Sequence, residues 1–297
     1  MRLDGRRTSN NVDDRRGQSG TGRGMKLAGG GIVGIIIAAA IALLGGGDLS
    51  SVLSGVLGGG GLDGLTAGQS SSSSSYTPSA EDEELATFTR QILAGTEDVW
   101  SEIFKQNGLT YEPPTLVLYD GTTTSACGTA SEQVGPFYCS ADQSVYLDLS
   151  FLRNMRQTLG ADGDFAYAYV IAHEVGHHVQ YLLGTLDQAH ESMRRMSETE
   201  ANKISVRLEL QADFYAGVWG HHDNNRFHSL EPGDLDEALD AARKIGDDYL
   251  QKSARGYAVP ETFNHGTSEQ RRRWLNLGLS TGNPALGDTF TPAYSDL

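Results

Sequence analysis

The chain has 297 residues, 38% of them hydrophobic, and its 38 acidic against 23 basic residues give a net charge of −15. That length allows one or two domains with a buried core. The acidic surplus argues against nucleic-acid binding, which needs clustered Lys and Arg to displace counterions, and it disfavours tight contact of the main domain with anionic headgroups.

The first residues run against that balance. Arg2, Arg6, Arg7, Arg15, Arg16, Arg23 and Lys26 face only Asp4, Asp13 and Asp14. A polar, Arg-rich segment without aromatics buries too little surface to order itself, so residues 1–25 are expected to be a disordered tail. Residues 26–45 follow as an expected single transmembrane anchor, because Leu27–Leu44 is uncharged and just long enough to span a bilayer. A cleaved signal peptide is the alternative, but no clear small-x-small cleavage site follows. The basic flank before the apolar run places the N-terminus in the cytoplasm and the rest outside. The expected location is therefore the cell membrane, single-pass through residues 27–44, with the globular domain extracytoplasmic. Residues 46–75 hold Gly58–Gly61 and Ser70–Ser75 and read as a flexible linker. The globular domain is expected over 76–281, with a loose tail over 282–297.

Within that domain, Glu81–Lys105 carries Leu85, Phe88, Ile92, Val99 and Ile103 near helical spacing. Thr115–Tyr119, Gly135–Cys139 and Ser144–Leu149 read as strands, the last two forming a hairpin through Asp142 and Gln143. Cys127 and Cys139 are the only cysteines. In an oxidising compartment they are expected to form a disulfide, with two buried thiols as the alternative. A short helix over Phe151–Leu159 and a Gly/Asp loop lead into the stretch on which the chain turns.

That stretch is Ala172-His173-Glu174-Val175-Gly176-His177-His178. On a helix, residues four apart share a face, so His173 and His177 can aim imidazole nitrogens at one ion while Glu174 reaches water beside it. The alternative is a solvated His/Glu face. The almost wholly apolar run Phe165–Ala172 makes this a buried helix, and buried His and Glu need partners. Two imidazoles plus an oxygen ligand with one open position suit catalytic Zn²⁺, one per chain. Gly184 stops this helix, and a long helical pattern follows from about Gln188 to Gly220. It carries Glu209 and Asp213, again four apart among Leu208, Leu210, Ala212, Phe214 and Val218. Glu209 is the expected third ligand, and Asp213 is expected to orient a ligand histidine. Exchanged roles, or an acidic edge paired with Arg207 or Lys203, are the alternatives. His221 and His222 fall past the expected helix end and read as surface residues. Asp234–Ser253 reads as one helix, Pro260–Gly266 as a loop, and Ser268–Leu279 as a last helix. His265, on the loop, is a candidate catalytic donor to substrate, or a structural partner of Glu269 or another acid. Arg271 is a candidate lock for the helix bearing Glu209 and Asp213.

His173–Gln180 followed by Glu209–Gly217 resembles the neutral zinc metallopeptidase family of bacterial membrane-anchored proteins. Pro136–Cys139, Val145–Leu149 and His265–Arg271 also resemble its signature stretches, and the likeness covers residues 80–280. Phe214 departs from the family pattern, where a cysteine stands at about this point. The resemblance implies an α+β, zincin-like domain of the gluzincin type: a small antiparallel sheet, an HExxH active-site helix, and a glutamate ligand from a later helix.

The expected function is a zinc metallopeptidase, an endopeptidase hydrolysing extended or unfolded polypeptides outside the cytoplasmic membrane. Substrate is expected to pair along Val145–Leu149 if that is an edge strand. The alternatives are a non-catalytic zinc-binding envelope scaffold and a metal-dependent amidase acting on cell-wall peptide.

Overall fold

Alternation along the strand Thr115–Tyr119 decides how the domain is layered. Leu116 and Leu118 point into the main core, whereas Val117 and Tyr119 point to the other face, as the two-residue period of a strand requires. The protein is described from a computed structural model covering residues 1–18, 77–131 and 135–297.

The strands are β1 (Val12–Asp14), β2 (Thr115–Tyr119), β3 (Thr122–Ser125), β4 (Gly128–Ser131), β5 (Phe137–Cys139) and β6 (Ser144–Asp148). The four-stranded sheet has the order β1-β2-β6-β5. Leu116 lies opposite Val145 in a parallel pair, Val12 lies opposite Leu116 in another, and Tyr138 lies opposite Val145 in the antiparallel hairpin. β3 and β4 form a separate antiparallel ribbon. The helices are α1 (Ala80–Gln106), α2 (Leu149–Leu159), α3 (Asp164–Leu182), α4 (Thr185–Met193), α5 (Glu198–Phe227), α6 (Asp234–Lys244), α7 (Asp247–Arg255) and α8 (Ser268–Thr281). The result is a helix-rich α+β domain in which α5 packs on both α3 and α8.

On the sheet face away from the main core, Val117, Tyr119, Phe137 and Tyr146 surround the Cys127–Cys139 bridge, whose Cα atoms are 5.8 Å apart. Phe137 stacks on Tyr146 with ring centroids 4.8 Å apart. A small cluster closed by a covalent link needs less apolar area to hold its ribbon in place, and a bridge of this kind contributes about 2–4 kcal/mol.

Several expectations are corrected. Residues 1–18 are not a disordered tail. Leu116 N–H donates to Asn11 C=O at 2.8 Å and Arg15 N–H to Leu118 C=O at 2.7 Å, so β1 is a built-in edge strand. Pairing and ions order it, with Met1, Leu3 and Val12 packed against the core: Arg6 reaches Asp223 at 2.6 Å and Arg90 reaches Asp14 at 2.7 Å. The sheet is mixed rather than antiparallel. β6 is not an edge strand, since β2 and β5 flank it, and all five of its residues are buried. The helix expected from Gln188 divides into α4 and α5. α5 runs on to Phe227, which carries His221 and His222 inside it, half-buried and bonded to Leu279 C=O at 2.9 Å and Gly282 C=O at 2.7 Å. The helix expected over 234–253 breaks at Ile245 and Gly246 into α6 and α7. The C-terminal residues are not loose. Gln211 donates to Gly287 C=O at 2.7 Å, Arg207 to Pro292 C=O at 3.0 Å, and Leu297 is buried.

The expected anchor over 26–45 and linker over 46–75 lie outside the described residues. Among the described residues no helix is long and apolar enough to cross a membrane.

Candidate metal centre

α3 is buried on nearly every side. Phe165, Ala168, Tyr169, Val170, Ile171, Ala172, Val175 and Val179 all join the core, which carries His173, Glu174 and His177 inward with them. Gly176, between the two histidines, lets α5 approach closely: a Cβ there would lie 2.9 Å from Ala212 C=O and 3.0 Å from Ala212 Cα. Ala212 stands between Glu209 and Asp213, so the missing side chain at 176 sets both carboxylates against α3. A second close crossing joins α5 to α8, where a Cβ on Gly217 would meet Leu275 C=O at 2.3 Å.

The contact brings one donor atom from each of His173, His177 and Glu209 within 4.8 Å of the others. His173 Nε2 is 3.3 Å from Glu209 Oε2, and His177 Nε2 is 3.4 Å from Glu209 Oε1. Each of these three residues is at most 3% exposed, and so is Glu174. His173 Nε2, His177 Nε2, Glu209 Oε2 and Glu174 Oε2 are buried without a hydrogen-bond partner. Four such orphans converging from two helices are costly unless something fills the space between them, and a cation satisfies both imidazoles and the carboxylate together. Two imidazoles and one carboxylate form a zinc-type donor set.

The far side of each group is also held. His173 Nδ1 is 2.8 Å from Asp213 Oδ1, which fixes its Nε2 toward the centre. Asp213 takes two bonds of 2.8 Å from the Arg271 guanidinium and one of 2.6 Å from Tyr169 Oη–H. Arg271 is fully buried and also lies 3.6 Å from Glu209 Oε2. His177 Nδ1 is 2.9 Å from Gln180 Oε1, whose amide donates to Leu208 C=O at 2.7 Å. Asp213 thus orients a histidine, and its distance from the cluster gives no support to an exchange of roles with Glu209.

Burial opposes charge throughout the site, and the partners decide the outcome. Glu209 is nonetheless held well below the ordinary carboxylate range by the two histidines, and Asp213 is held low by Arg271 and His173. Burial also works against a proton on His173, yet Asp213 and Glu209 push its pKa up to about 9. A cation entering here must displace that proton, so metal uptake releases acid and weakens as the pH falls. Glu174 is the exception among the carboxyls: burial pushes it up to about 7 against the pull of the histidines. In the metal-free site its carboxyl therefore exchanges a proton near neutrality.

His178 is no part of the cluster. Its Nδ1 meets Tyr138 Oη at 2.9 Å and its Nε2 meets Glu112 C=O at 2.6 Å, and burial lowers its pKa to about 4. It is a satisfied core histidine.

His265 is buried, and its partner is Asp247 rather than Glu269, with Nδ1 to Oδ1 at 3.0 Å. The other Asp247 oxygen accepts the N–H groups of Asn264, His265 and Gly266 at 2.9, 2.7 and 3.0 Å. Burial disfavours charge on His265, but Asp247 and then Glu209 raise its pKa. Asp247 was not singled out from the sequence. Gly246, immediately before it, was the available signal that a helix starts there.

The family model described as "putative neutral zinc metallopeptidase" matches residues 1–290. The chain is 46% identical over 296 residues to the uncharacterized protein YpfJ of Escherichia coli, covering 98% of this chain and 99% of that one. It is 40% identical over 193 residues to an uncharacterized protein of Mycobacterium tuberculosis, Rv2575, covering 62% of this chain and 64% of that one. No solved structure matches.

Proposed function

The chain belongs to the putative neutral zinc metallopeptidase family, and from that premise we propose that it is a zinc-dependent endopeptidase acting on extended or unfolded polypeptides. The observation that carries this reading is the convergence of orphaned His173 Nε2, His177 Nε2 and Glu209 Oε2 beside an equally orphaned Glu174 carboxylate. His173, His177 and Glu209 would hold the zinc, which when bound would supply Lewis acidity toward water and the peptide carbonyl. Glu174 accepts the proton of the attacking water and returns it to the leaving amine. His265, its Nδ1 fixed on Asp247, offers Nε2–H to the oxyanion that forms on the carbonyl. With β6 enclosed, an extended substrate has β5 as the sheet edge to pair with, where Tyr138 is tied to His178 of α3.

The test is metal content and proteolysis on the full chain. One zinc per chain is expected, with cleavage of an unfolded protein lost on chelation and restored by stoichiometric zinc. A chain that never takes up zinc would sink the ligand set. His265→Ala is expected to retain zinc and lower kcat by about 10²–10³, with KM little changed, since one oxyanion donor is removed. Asp247→Asn should follow in the same direction. Unchanged kcat in His265→Ala would leave the histidine a purely structural role.

A second reading has one observation in its favour. Ligands and base are all at most 3% exposed, as in a closed zinc site that stabilises an envelope scaffold. The orphaned Glu174 oxygen favours the enzyme, since a scaffold gains nothing from a costly buried carboxyl.

A further inference from the structure

A chain that crosses a membrane once leaves its two flanks on opposite sides. Here the two flanks of residues 19–76 belong to one folded body. β1 is hydrogen-bonded into the sheet beside β2. Arg6 sits above Gly95 of α1, where a Cβ would lie 2.9 Å from its guanidinium; it also pairs with Asp223 of α5 at 2.6 Å and covers the Phe227 ring at 3.7 Å. Ser9 is buried and bonded to Glu97 at 2.5 Å, while Arg7 reaches Glu97 at 2.9 Å and Asp98 at 2.6 Å. These contacts run through α1, α5 and the sheet, so residues 1–18 are packed as part of the same body that holds the metal-type cluster.

The two flanks also meet at one place. Arg16, two residues before the described N-terminal segment ends, lies 3.0 Å from Glu83 and donates to Asp82 C=O at 3.3 Å. Asp82 and Glu83 belong to the first turn of α1. Residues 16 and 82–83, which flank the intervening stretch, therefore lie side by side on the domain.

The basic run has a use in this body. Arg6, Arg7, Arg15 and Arg16 each pair with a carboxylate of the folded domain or of β1 itself. Their presence is explained without a cytoplasmic flank. After the apolar run 27–44, the next uncharged run, Leu49–Leu62 between Asp48 and Asp63, falls short of the ~20 residues a returning span would need.

We infer that residues 1–18 and 77–297 lie on the same side of the cell membrane, so that the stretch between them does not make a single crossing. This replaces the single-pass arrangement with the N-terminus inside and the catalytic domain outside. It is independent of whether the domain is a peptidase.

The test uses the full chain in its own membrane. Thr8→Cys and Ser253→Cys, both at exposed positions, are made singly and treated in intact cells or spheroplasts with a membrane-impermeant maleimide, then again after lysis. Both variants should label in lysates. In intact cells the two should behave alike, both labelled or both protected. Labelling of Ser253→Cys with protection of Thr8→Cys, or the reverse, would overturn the inference. A Thr8→Cys that failed to label even after native lysis, but labelled on denaturation, would show burial. Asp4→Cys, also exposed, then gives the same comparison.

Discussion

Glu174→Gln in the full chain should bind zinc as the parent does and lose cleavage of unfolded protein by about 10²–10⁴-fold, the usual contribution of a positioned general base. The amide keeps the shape and removes the proton-accepting oxygen, so loss of metal is not expected from a residue outside the His173–His177–Glu209 set. Equal zinc and equal inactivity in parent and variant would favour the scaffold reading. Equal zinc and equal activity would remove Glu174 from the chemistry. A second measurement needs no substrate. In the metal-free chain burial raises the Glu174 pKa from 4.5 to about 7. A raised folded-state pKa means that the folded chain holds the proton more tightly than the unfolded chain. The resulting stability is fully present below about pH 4.5 and is lost as the pH rises to about 7. Metal-free Glu174→Gln has no such titration, so its melting temperature should gain on the parent's across that interval and hold a constant lead above it. A difference that did not change between pH 4.5 and 7 would show that Glu174 is not a strained buried acid.

How much of this site was legible in the sequence follows from distance along the chain. His173 and His177 lie about one helical turn apart, with Glu174 one residue round, and so do Glu209 and Asp213, so periodicity alone placed each pair on a common face. Apolar neighbours then signalled burial, and buried carboxylates opposite buried histidines suggested a shared ion. Asp247 and His265 are different. Their pairing crosses a helix start and a loop, and reading 234–253 as one helix hid Asp247 within a helix interior when it caps the turn that presents His265. β1 was hidden for another reason. Val12-Asp13-Asp14 has a single apolar residue and no alternation, and most of what orders it is supplied from elsewhere: β2's open edge, Asp223, Glu97 and Arg90. Composition reports what a segment can bury on its own and is blind to a partner across the fold. The same holds for the C-terminal residues, whose carbonyls are claimed by Arg207 and Gln211. β6 was taken for a possible edge because the hairpin with β5 is local, whereas its parallel neighbour β2 is reached only through the β3–β4 ribbon.

Arg271→Met should destabilise the metal-free chain by about 3–5 kcal/mol, because it strands a carboxylate in the interior. Arg271 and Asp213 are both fully buried, joined by two bonds of 2.8 Å, and Arg271 is the cation that holds Asp213 ionised. Without it, Asp213 keeps only Tyr169 and His173, and Glu209 loses a cation 3.6 Å away. Methionine fills much of the volume, so the loss reports charge more than cavity. The double variant Asp213→Asn with Arg271→Met removes both charges and should recover part of the loss, giving a coupling energy that a mere packing defect would not produce. Urea unfolding of the four metal-free proteins measures it, metal being excluded because bound zinc would add its own stabilisation. Asp213→Asn alone should lower zinc affinity about 10–100-fold, since it loosens the hydrogen bond that aims His173 Nε2. Additive losses in the double variant would mean that Arg271 and Asp213 act separately, and α8 would then have no hold on the orientation of His173.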